Sequence, residues 1–492
     1  MESKRITLKA LFKDLQVEVK GSRDVAITGL SSHSRSLTPG GLFIARKGSQ
    51  TDGNAFISEA LRAGATAILT DFYNPFMRAV TQIIATNPAA LEPLLAERYY
   101  RFPTKKLFIV GVTGTDGKTT TAYVIQRLLS TQHRPCGMLG TVEYVTGRRR
   151  LMAGLTTPDI ITSQRLFREM VDDGLSSAVM EVSSHALDQE RTQTIDFNVA
   201  VLTNITRDHL DYHPTLSDYI AAKAKLFAAV DQPGKAAVIN GDDPVYASFA
   251  QLKVARVLSY GMRERVDLHG AILDRDLDGM TMRLTFQGKT HELRAPLIGS
   301  FNGYNLLAAV GVALLKGVPW AKIKERIASL SPIPGRLERI RSSAPFALFV
   351  DFAHTPEALR AVLEELRPLC RRQLTVLFGA GGDRDRGKRR EMGRVAEAHA
   401  DRIVVTSDNP RSEDPRVIID EICAGLRFRD QAMIEVDRKK AIEKALDKSA
   451  EGDIVLLAGR GHEPMQTWGQ TSIPLDDRVV AREILNGREH KL

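Results

Sequence analysis

Between residues 111 and 129 the chain reads GVTGTDGKTTTAYVIQRLL, residue types whose spacing suits the grip of a nucleotide's phosphates. Gly111, Gly114 and Gly117 let the backbone curl until several N–H groups face one anion. A helix starting there adds the partial positive charge of its N-terminus. Lys118 supplies a full charge to β- and γ-phosphates, and a hydroxyl of Thr119 or Thr120 is placed to reach Mg2+. The full P-loop pattern has a glycine five residues before Gly117, where this chain has Val112, so the motif is a variant. The expected ligand is ATP.

The elements that must position this turn are a short buried strand, 107–110, and the amphipathic helix opened by Lys118. They begin a second unit expected over residues 106–335. Within it, a strand over 177–182 delivers Glu181, followed by Ser183, Ser184 and His185. Another over 199–202 runs into Thr203-Asn204-Ile205-Thr206-Arg207-Asp208-His209-Leu210-Asp211. Ligands of open α/β sheets sit at the carboxyl ends of strands, so Glu181 and His209 are candidates to face the phosphates and bind a metal. Residues 219–227 read as a helix whose lysines, Lys223 and Lys225, are surface charge by default. Asn302 and Asn305 lead into an apolar helix, where they either cap it or face a base. The alternating stretch 262–293 is expected to be a peripheral hairpin.

A first unit spans residues 1–105, with strands expected at 41–45 and 65–70, helices at 54–63 and 88–100, and a linker at 101–104. Its polar loops 31–35 and 47–53 suit a nucleotide's phosphates or base edge, solvated loops being the plainer reading. A third α/β unit covers 336–492. Four of its strands are followed by polar motifs: Ala353-His354-Thr355-Pro356, residues 379–386, Ser407-Asp408-Asn409-Pro410-Arg411, and Gly459-Arg460-Gly461-His462-Glu463. Collected along one edge, they make a second recognition surface. Arg384, Arg386 and Arg411 suit carboxylates, each gripped by two parallel hydrogen bonds.

The 492 residues suit about three domains of ~150 residues each. Hydrophobic residues at 43% and charged residues at 26% are ordinary for a globular protein with sizeable cores. The net charge of +9 suits a multiply anionic small substrate. Without a basic tail or interleaved aromatics, it gives nucleic acid little support. Cys136, Cys370 and Cys423 form neither a disulfide framework nor a zinc spacing. With no signal-peptide core at the N-terminus and no apolar run near ~18 residues, the expectation is a cytoplasmic protein without membrane insertion.

With Gly114-Thr115-Asp116-Gly117-Lys118-Thr119-Thr120, Glu181-Val182-Ser183-Ser184-His185, the 204–211 motif and Asp408-Asn409-Pro410-Arg411 in this order, the chain resembles the Mur ligases over essentially its whole length. The resemblance implies an α/β, three-domain architecture: an N-terminal UDP-substrate domain, a central P-loop ATPase domain and a C-terminal Rossmann-like domain for the incoming amino acid. The implied reaction takes UDP-MurNAc-L-Ala-D-Glu, ATP and a diamino acid to the tripeptide, ADP and phosphate through an acyl phosphate, with Mg2+, in peptidoglycan precursor synthesis. A monomer is expected. L-Lysine as the amino acid, or a folylpolyglutamate-synthase-like ligase, are the alternatives. A P-loop switch protein is disfavoured because no Asn-Lys-x-Asp-type guanine motif occurs.

Carried over by position, Lys118, Glu181, His209 and Lys223 match catalytic residues. Thr119, Glu181, His209 and Lys223, the last as a carbamate (N6-carboxylysine), match the metal site. Besides residues 114–120, Asn302, Asn305, Arg336 and Asp351 match nucleotide contacts. Ser32, Ser34, Ser49, Gln50 and Thr51 match the UDP end, and Thr156, Thr157, Ser183, Gln189 and Arg191 the muramoyl-dipeptide end. Arg384, Asp408, Asn409, Pro410, Arg411, Gly459 and Glu463 match the amino-acid pocket. Arg411 selects meso-diaminopimelate, because its second carboxylate, absent from lysine, needs a cationic partner. Two departures stand out: Asp116 where Asn is usual, and Leu155 where some relatives have Asn.

Overall fold

The computed structural model describes residues 5–48, 51–209, 211–263 and 265–489. They form two compact units. The first comprises residues up to Lys118, Leu129–Ile239 and Asp243–Val257; the second comprises Thr119–Leu128, Asn240–Asp242 and the chain from Leu258.

Besides a two-stranded ribbon, Ile6–Thr7 with Ala26–Ile27, the first unit carries strands of two larger sheets. In the N-terminal one, Leu30–Ser31, Leu42–Ile44, Ala67–Thr70 and Thr81–Ile84 run parallel, and Glu18–Lys20 closes the edge antiparallel. Ala67–Thr70 is buried at all four positions, as a strand covered on both faces must be. The helix Pro88–Tyr99 follows, capped by the Asn87 side chain accepting from Ala90 N at 3.3 Å, with proline at its first position.

In the second sheet, Cys136–Leu139, Ser177–Glu181, Phe108–Thr113, Phe197–Leu202 and Ala236–Asn240 lie side by side and parallel. Glu143–Val145 and Arg150–Met152 continue it antiparallel. The strand that leads into the glycine turn is central: Glu181 is in register with Val112 on one side, and Leu202 with Thr113 on the other. That order brings the ends of three strands to one place. The helix Leu216–Ala228 starts in a capping box, Thr215 and Asp218 each accepting from the other's backbone N–H at 3.1 Å.

In the second unit, residues 262–293 are not a hairpin. Leu268–Asp276, Gly279–Phe286 and Lys289–Ala295 form a three-stranded antiparallel meander, joined in parallel by Val257–Gly261. Two-residue turns at 277–278 and 287–288 divide the alternating stretch twice rather than once. The helix Ser300–Leu315 buries eleven of its sixteen residues, which accounts for its apolar sequence. A six-stranded sheet runs in the order Glu338–Ile340, Ala347–Val350, Ile454–Leu457, Leu374–Phe378, Arg402–Val405, Met433–Ile434, all parallel after the first strand. Leu359, Met392 and Ile419 pack one of its faces; Ile442, Leu446 and Ala481 pack the other. This is a doubly wound sheet, its four polar motifs at the carboxyl ends of its strands.

Candidate active site

The glycine turn forms as its spacing predicts. Gly114 has φ +148°, and a Cβ there would stand 1.8 Å from Thr203 Oγ1, so only glycine fits. The 203–206 segment braces the turn. Thr115 N donates to Asn204 O at 2.8 Å, Asp116 N to Asn204 Oδ1 at 2.9 Å, and Thr206 N to Thr115 Oγ1 at 2.9 Å. Lys118 Nζ reaches Gly114 O at 3.0 Å and Thr115 O at 2.7 Å, keeping the ammonium over the turn. The Asp116 side chain is exposed while its backbone is held, so the Asn-to-Asp departure leaves the turn intact.

Glu181 is fully buried. Thr141 cradles it twice, through N–H to Oε1 at 2.9 Å and Oγ1–H to Oε2 at 3.0 Å. The same Thr141 hydroxyl lies 3.2 Å from Thr156 Oγ1. A Cβ at Gly140 would meet Glu181 Oε1 at 2.4 Å, so the preceding glycine admits the carboxylate. Thr157 Oγ1 donates to Glu181 O at 2.8 Å and accepts from Ser183 N at 3.0 Å. Ser183 caps the short helix that follows, its Oγ accepting from Ala186 N at 3.2 Å. Arg191 donates to Thr157 O at 3.3 Å and to Gln189 Oε1, and Gln189 donates to Tyr212 OH at 3.2 Å. The structure thus brings Thr156, Thr157, Ser183, Gln189 and Arg191 together beside Glu181. Leu155 is exposed, and its backbone bonds to Tyr144 OH.

Lys223 is not surface charge. Tyr219, Ala222, Lys223, Leu226 and Phe227 form the buried stripe of their helix, and Lys223 is only 1% exposed. Its Nζ donates to Gly114 O at 2.7 Å and lies 4.4 Å from the Tyr219 ring centre. Burial drives its pKa well below 10.5, the Lys118 charge adds to this, and Asp208 and Asp116 oppose it. The shift favours the neutral form of an amine that bonds directly to the glycine turn through Gly114 O. Lys225, by contrast, is half-exposed and paired with Asp188 at 3.2 Å.

His209 has a left-handed backbone, φ +53°, with its ring edge-on to that of His185 at 4.8 Å. Burial lowers its pKa, Asp208 opposing and Lys118 and Lys223 reinforcing. Among the described residues no three His, Cys, Asp or Glu side chains form a preassembled metal cluster.

In the N-terminal sheet, Ser34 Oγ donates to Glu59 Oε2 at 3.0 Å, and Thr51 O accepts from Gly48 N at 2.8 Å. Ser32 is half-buried near Glu92. Ser49 and Gln50 lie outside the described residues.

In the second unit the two asparagines do not cap their helix, which starts at Gly299 without a side-chain cap. Asn302 Nδ2 donates to Ile298 O at 2.7 Å. Asn305 Nδ2 donates to Asn302 Oδ1 at 2.9 Å, and its Oδ1 accepts from Thr121 Oγ1 at 3.3 Å. Arg336 donates to Thr119 Oγ1 at 3.2 Å and stacks 4.7 Å over Phe352. Asp351 accepts from Leu337 N at 2.6 Å and Ala353 N at 2.8 Å, fixing the turn that presents Phe352.

The motifs after the doubly wound strands converge. Asn409 Nδ2 donates to Glu463 Oε2 at 2.7 Å, and its Oδ1 accepts from Arg460 at 3.0 Å and Thr467 N at 2.9 Å. A Cβ at Gly459 would stand 2.7 Å from Asp408 Oδ2, so the glycine opens room beside that carboxylate. Burial raises the Glu463 pKa and the Asp408 charge raises it further, with Arg460 and Asn409 opposing. Two carboxylates in each other's field attract a cation such as an ammonium. Arg411, at φ +53°, is locked by Arg411 N to Thr467 O at 3.1 Å and by its Nη1 to Gly382 O at 2.5 Å. A non-glycine residue in this conformation stores about 1 kcal/mol or more, which these hydrogen bonds offset. Arg384 is exposed and bonds only to Asp383 O at 3.1 Å among the described contacts.

Three positioning groups escape the sequence reading. Thr141 gives no motif signal. Arg460, inside a quoted motif, is fully buried and also donates to Met465 O at 2.9 Å and Leu475 O at 2.8 Å. Beneath it, Arg438 forms a two-pronged pair with the wholly buried Asp477, at 2.8 and 2.6 Å, and donates to Ser407 O at 3.2 Å and Ala458 O at 2.9 Å. It ties together the ends of two motif-bearing strands.

Comparison with known proteins places three family models along the chain. "Mur ligase family, catalytic domain" matches residues 26–97, "Mur ligase middle domain" 112–313 and "Mur ligase, glutamate ligase domain" 335–461. A UDP-N-acetylmuramoyl-L-alanyl-D-glutamate–2,6-diaminopimelate ligase of Chlamydia caviae is 42% identical over 485 residues, covering 98% of this chain and 99% of the relative. The correspondingly named protein of Geobacillus thermodenitrificans is 40% identical over 468 residues, 94% of this chain and 95% of the relative. A solved structure with the same enzyme name aligns with TM-score 0.69 and 32% identity over 99% of this chain and 100% of its own.

Proposed function

The chain belongs to the Mur ligase family, and from that premise we propose that it joins meso-diaminopimelate to the D-Glu of UDP-MurNAc-L-Ala-D-Glu, converting ATP to ADP and phosphate. We divide it at about residues 105 and 335 into UDP-substrate, ATPase and amino-acid domains. No helix among the described residues is long and apolar enough to cross a membrane, and we place the reaction in the cytoplasm. The observation that carries the choice of amino acid is the pairing of Asp408 and Glu463, suited to an ammonium, with the locked guanidinium of Arg411, suited to a distal carboxylate.

In the first step a γ-carboxylate oxygen of D-Glu attacks the terminal phosphorus, forming an acyl phosphate as the bond to ADP breaks. Lys118 offsets the charge on the transferring group; such catalysis is mostly positioning and electrostatics. The diamino acid's amine then attacks the acyl carbon, and the tetrahedral adduct expels phosphate as the amide forms. Thr156, Thr157, Ser183, Gln189 and Arg191 hold the acyl dipeptide, Ser32, Ser34 and Ser49 to Thr51 the UDP end, and Asn302, Asn305, Arg336 and Asp351 the nucleotide. Arg384, Asp408 to Arg411, Gly459 and Glu463 take the diamino acid.

The carboxylate of Glu181 and the hydroxyl of Thr119 are hard oxygen donors that fit Mg2+, with His209 a supporting nitrogen donor. Lys223 would fit only after its amine had added CO2, and burial, by lowering its pKa, favours the neutral form that this addition needs. When bound, Mg2+ neutralises phosphate charge. The test is phosphate release from ATP with the UDP-linked dipeptide and each of meso-diaminopimelate, L-lysine and L-glutamate. Release dependent on meso-diaminopimelate is expected, and preference for L-lysine would overturn the assignment.

A further inference from the structure

The helix Pro88–Tyr99 buries Pro88, Glu92, Leu95 and Ala96 along one stripe, so a carboxylate stands where the pattern calls for an apolar side chain. The Glu92 side chain is 3% exposed. Its Oε2 lies 3.3 Å from Arg46 Nη1, and its Oε1 has no hydrogen-bond partner among the described residues. A carboxylate so placed is costly and is retained where it holds a neighbour in place. Burial raises its pKa; the Arg46 charge and the Ser32 hydroxyl oppose this.

Arg46 follows the strand Leu42–Ile44 and opens the loop that leads to Thr51. Its backbone is fixed on both sides, Arg46 N to Ile44 O at 3.1 Å and Gly53 N to Arg46 O at 2.9 Å. A Cβ at Gly53 would stand 2.5 Å from Arg46 O, so the loop closes tightly there. Lys47 is occupied by Asp71 at 2.8 Å. Arg46 has one edge of its fork toward Glu92 and a side chain 40% exposed, which leaves donors for a ligand. Its charge is felt at Arg191, whose pKa burial lowers, with Asp159 opposing and Arg46 reinforcing. An oxyanion placed between two guanidiniums in each other's field would relieve their repulsion.

We propose that Arg46 is an oxyanion contact for the UDP-linked substrate and that Glu92 is the positioning residue that aims it. This rests on the substrate assignment above. The oxyanion is either a phosphate of the diphosphate bridge or a carboxylate of the acyl dipeptide. The test is steady-state kinetics of the full-length enzyme with UDP-MurNAc-L-Ala-D-Glu, ATP and meso-diaminopimelate, alongside inhibition by UDP. Arg46→Gln is expected to raise KM for the UDP-linked substrate about ten-fold or more, with kcat and the other two KM values unchanged.

Glu92→Gln is expected to shift the same KM in the same direction, and the double variant to be no worse than Arg46→Gln alone. A weaker Ki for UDP in Arg46→Gln assigns the diphosphate; an unchanged Ki with the raised KM assigns the carboxylate. Unaltered KM in Arg46→Gln, or a loss spread equally over all three substrates, overturns the proposal. So does a Glu92→Gln protein that melts earlier but keeps its KM. Absence of turnover by the wild-type protein would instead sink the substrate assignment.

Discussion

On the proposed assignment, Arg411→Ala isolates the choice of amino acid. The residue is half-buried, its backbone is paired to Thr467 O and Gly469 N, and its left-handed φ strains alanine as it strains arginine. The substitution therefore removes the guanidinium without new backbone strain. A charge-assisted hydrogen bond is worth about 1.5–3 kcal/mol, which converts to roughly ten- to a hundred-fold at 1.4 kcal/mol per decade. We expect kcat/KM for meso-diaminopimelate to fall by about that factor, since a carboxylate left unpaired costs at least as much as the bond itself. The value for L-lysine, which has no group at that position, should change little. Arg411→Lys keeps the charge but loses the fork, and an intermediate loss is expected. Phosphate release measured against both amino acids gives the ratio directly. A variant that retains its full preference for meso-diaminopimelate would refute the reasoning, because discrimination would then reside elsewhere.

Gly114→Ala places a Cβ 1.8 Å from Thr203 Oγ1, so loss of ATP binding and a lowered melting temperature are expected by calorimetry. For Lys223, carbon-13 NMR of protein equilibrated with labelled bicarbonate should show a carbamate signal that disappears in Lys223→Ala; an unlabelled wild-type protein refutes the carbamate. Thr141→Val keeps the shape but removes the hydroxyl's hydrogen bond to Glu181, and kcat should fall about ten-fold with little change in melting temperature. Glu413, bonded at 2.8 Å to the fully buried Arg389, has its pKa lowered from 4.5 to about 2. A carboxyl lowered on folding contributes its stability above the unfolded value and loses it as pH falls toward about 2. The melting-temperature gap between wild type and Glu413→Gln should be widest near neutral pH and close on acidification between about 4.5 and about 2.

Much of this architecture is legible in the sequence because its strands are runs such as Val199-Ala200-Val201-Leu202, apolar at every position, which only a sheet covered on both faces accommodates. The phosphate turn is legible because glycine, lysine and threonine each do something that no other residue does there. The meander is harder, since an alternating pattern marks strands but does not count turns. Lys223 carried a signal that the default reading overrode: positions 219, 222, 226 and 227 are apolar at helical spacing, and the lysine shares their face. Glu92 shows the same signature in its own helix. Thr141 and the Arg438–Asp477 pair are invisible, because a hydroxyl or an ion pair declares its partner only once distant segments meet.

The partnership of Arg438 with Asp477 bears on how the chain tolerates shortening. Asp477 is the first residue of the helix Asp477–Glu489, so a stop codon placed ahead of it would strand a buried guanidinium without its hydrogen-bonded carboxylate. Losing one member of such a pair costs about 3–5 kcal/mol, a large share of the stability of an ordinary domain. The damage would surface at a distance: Ser407 and Ala458, which accept from that guanidinium, stand directly before Asp408 and Gly459. On the proposed assignment, a trimmed protein is expected to lose affinity for the diamino acid before it loses its affinity for ATP.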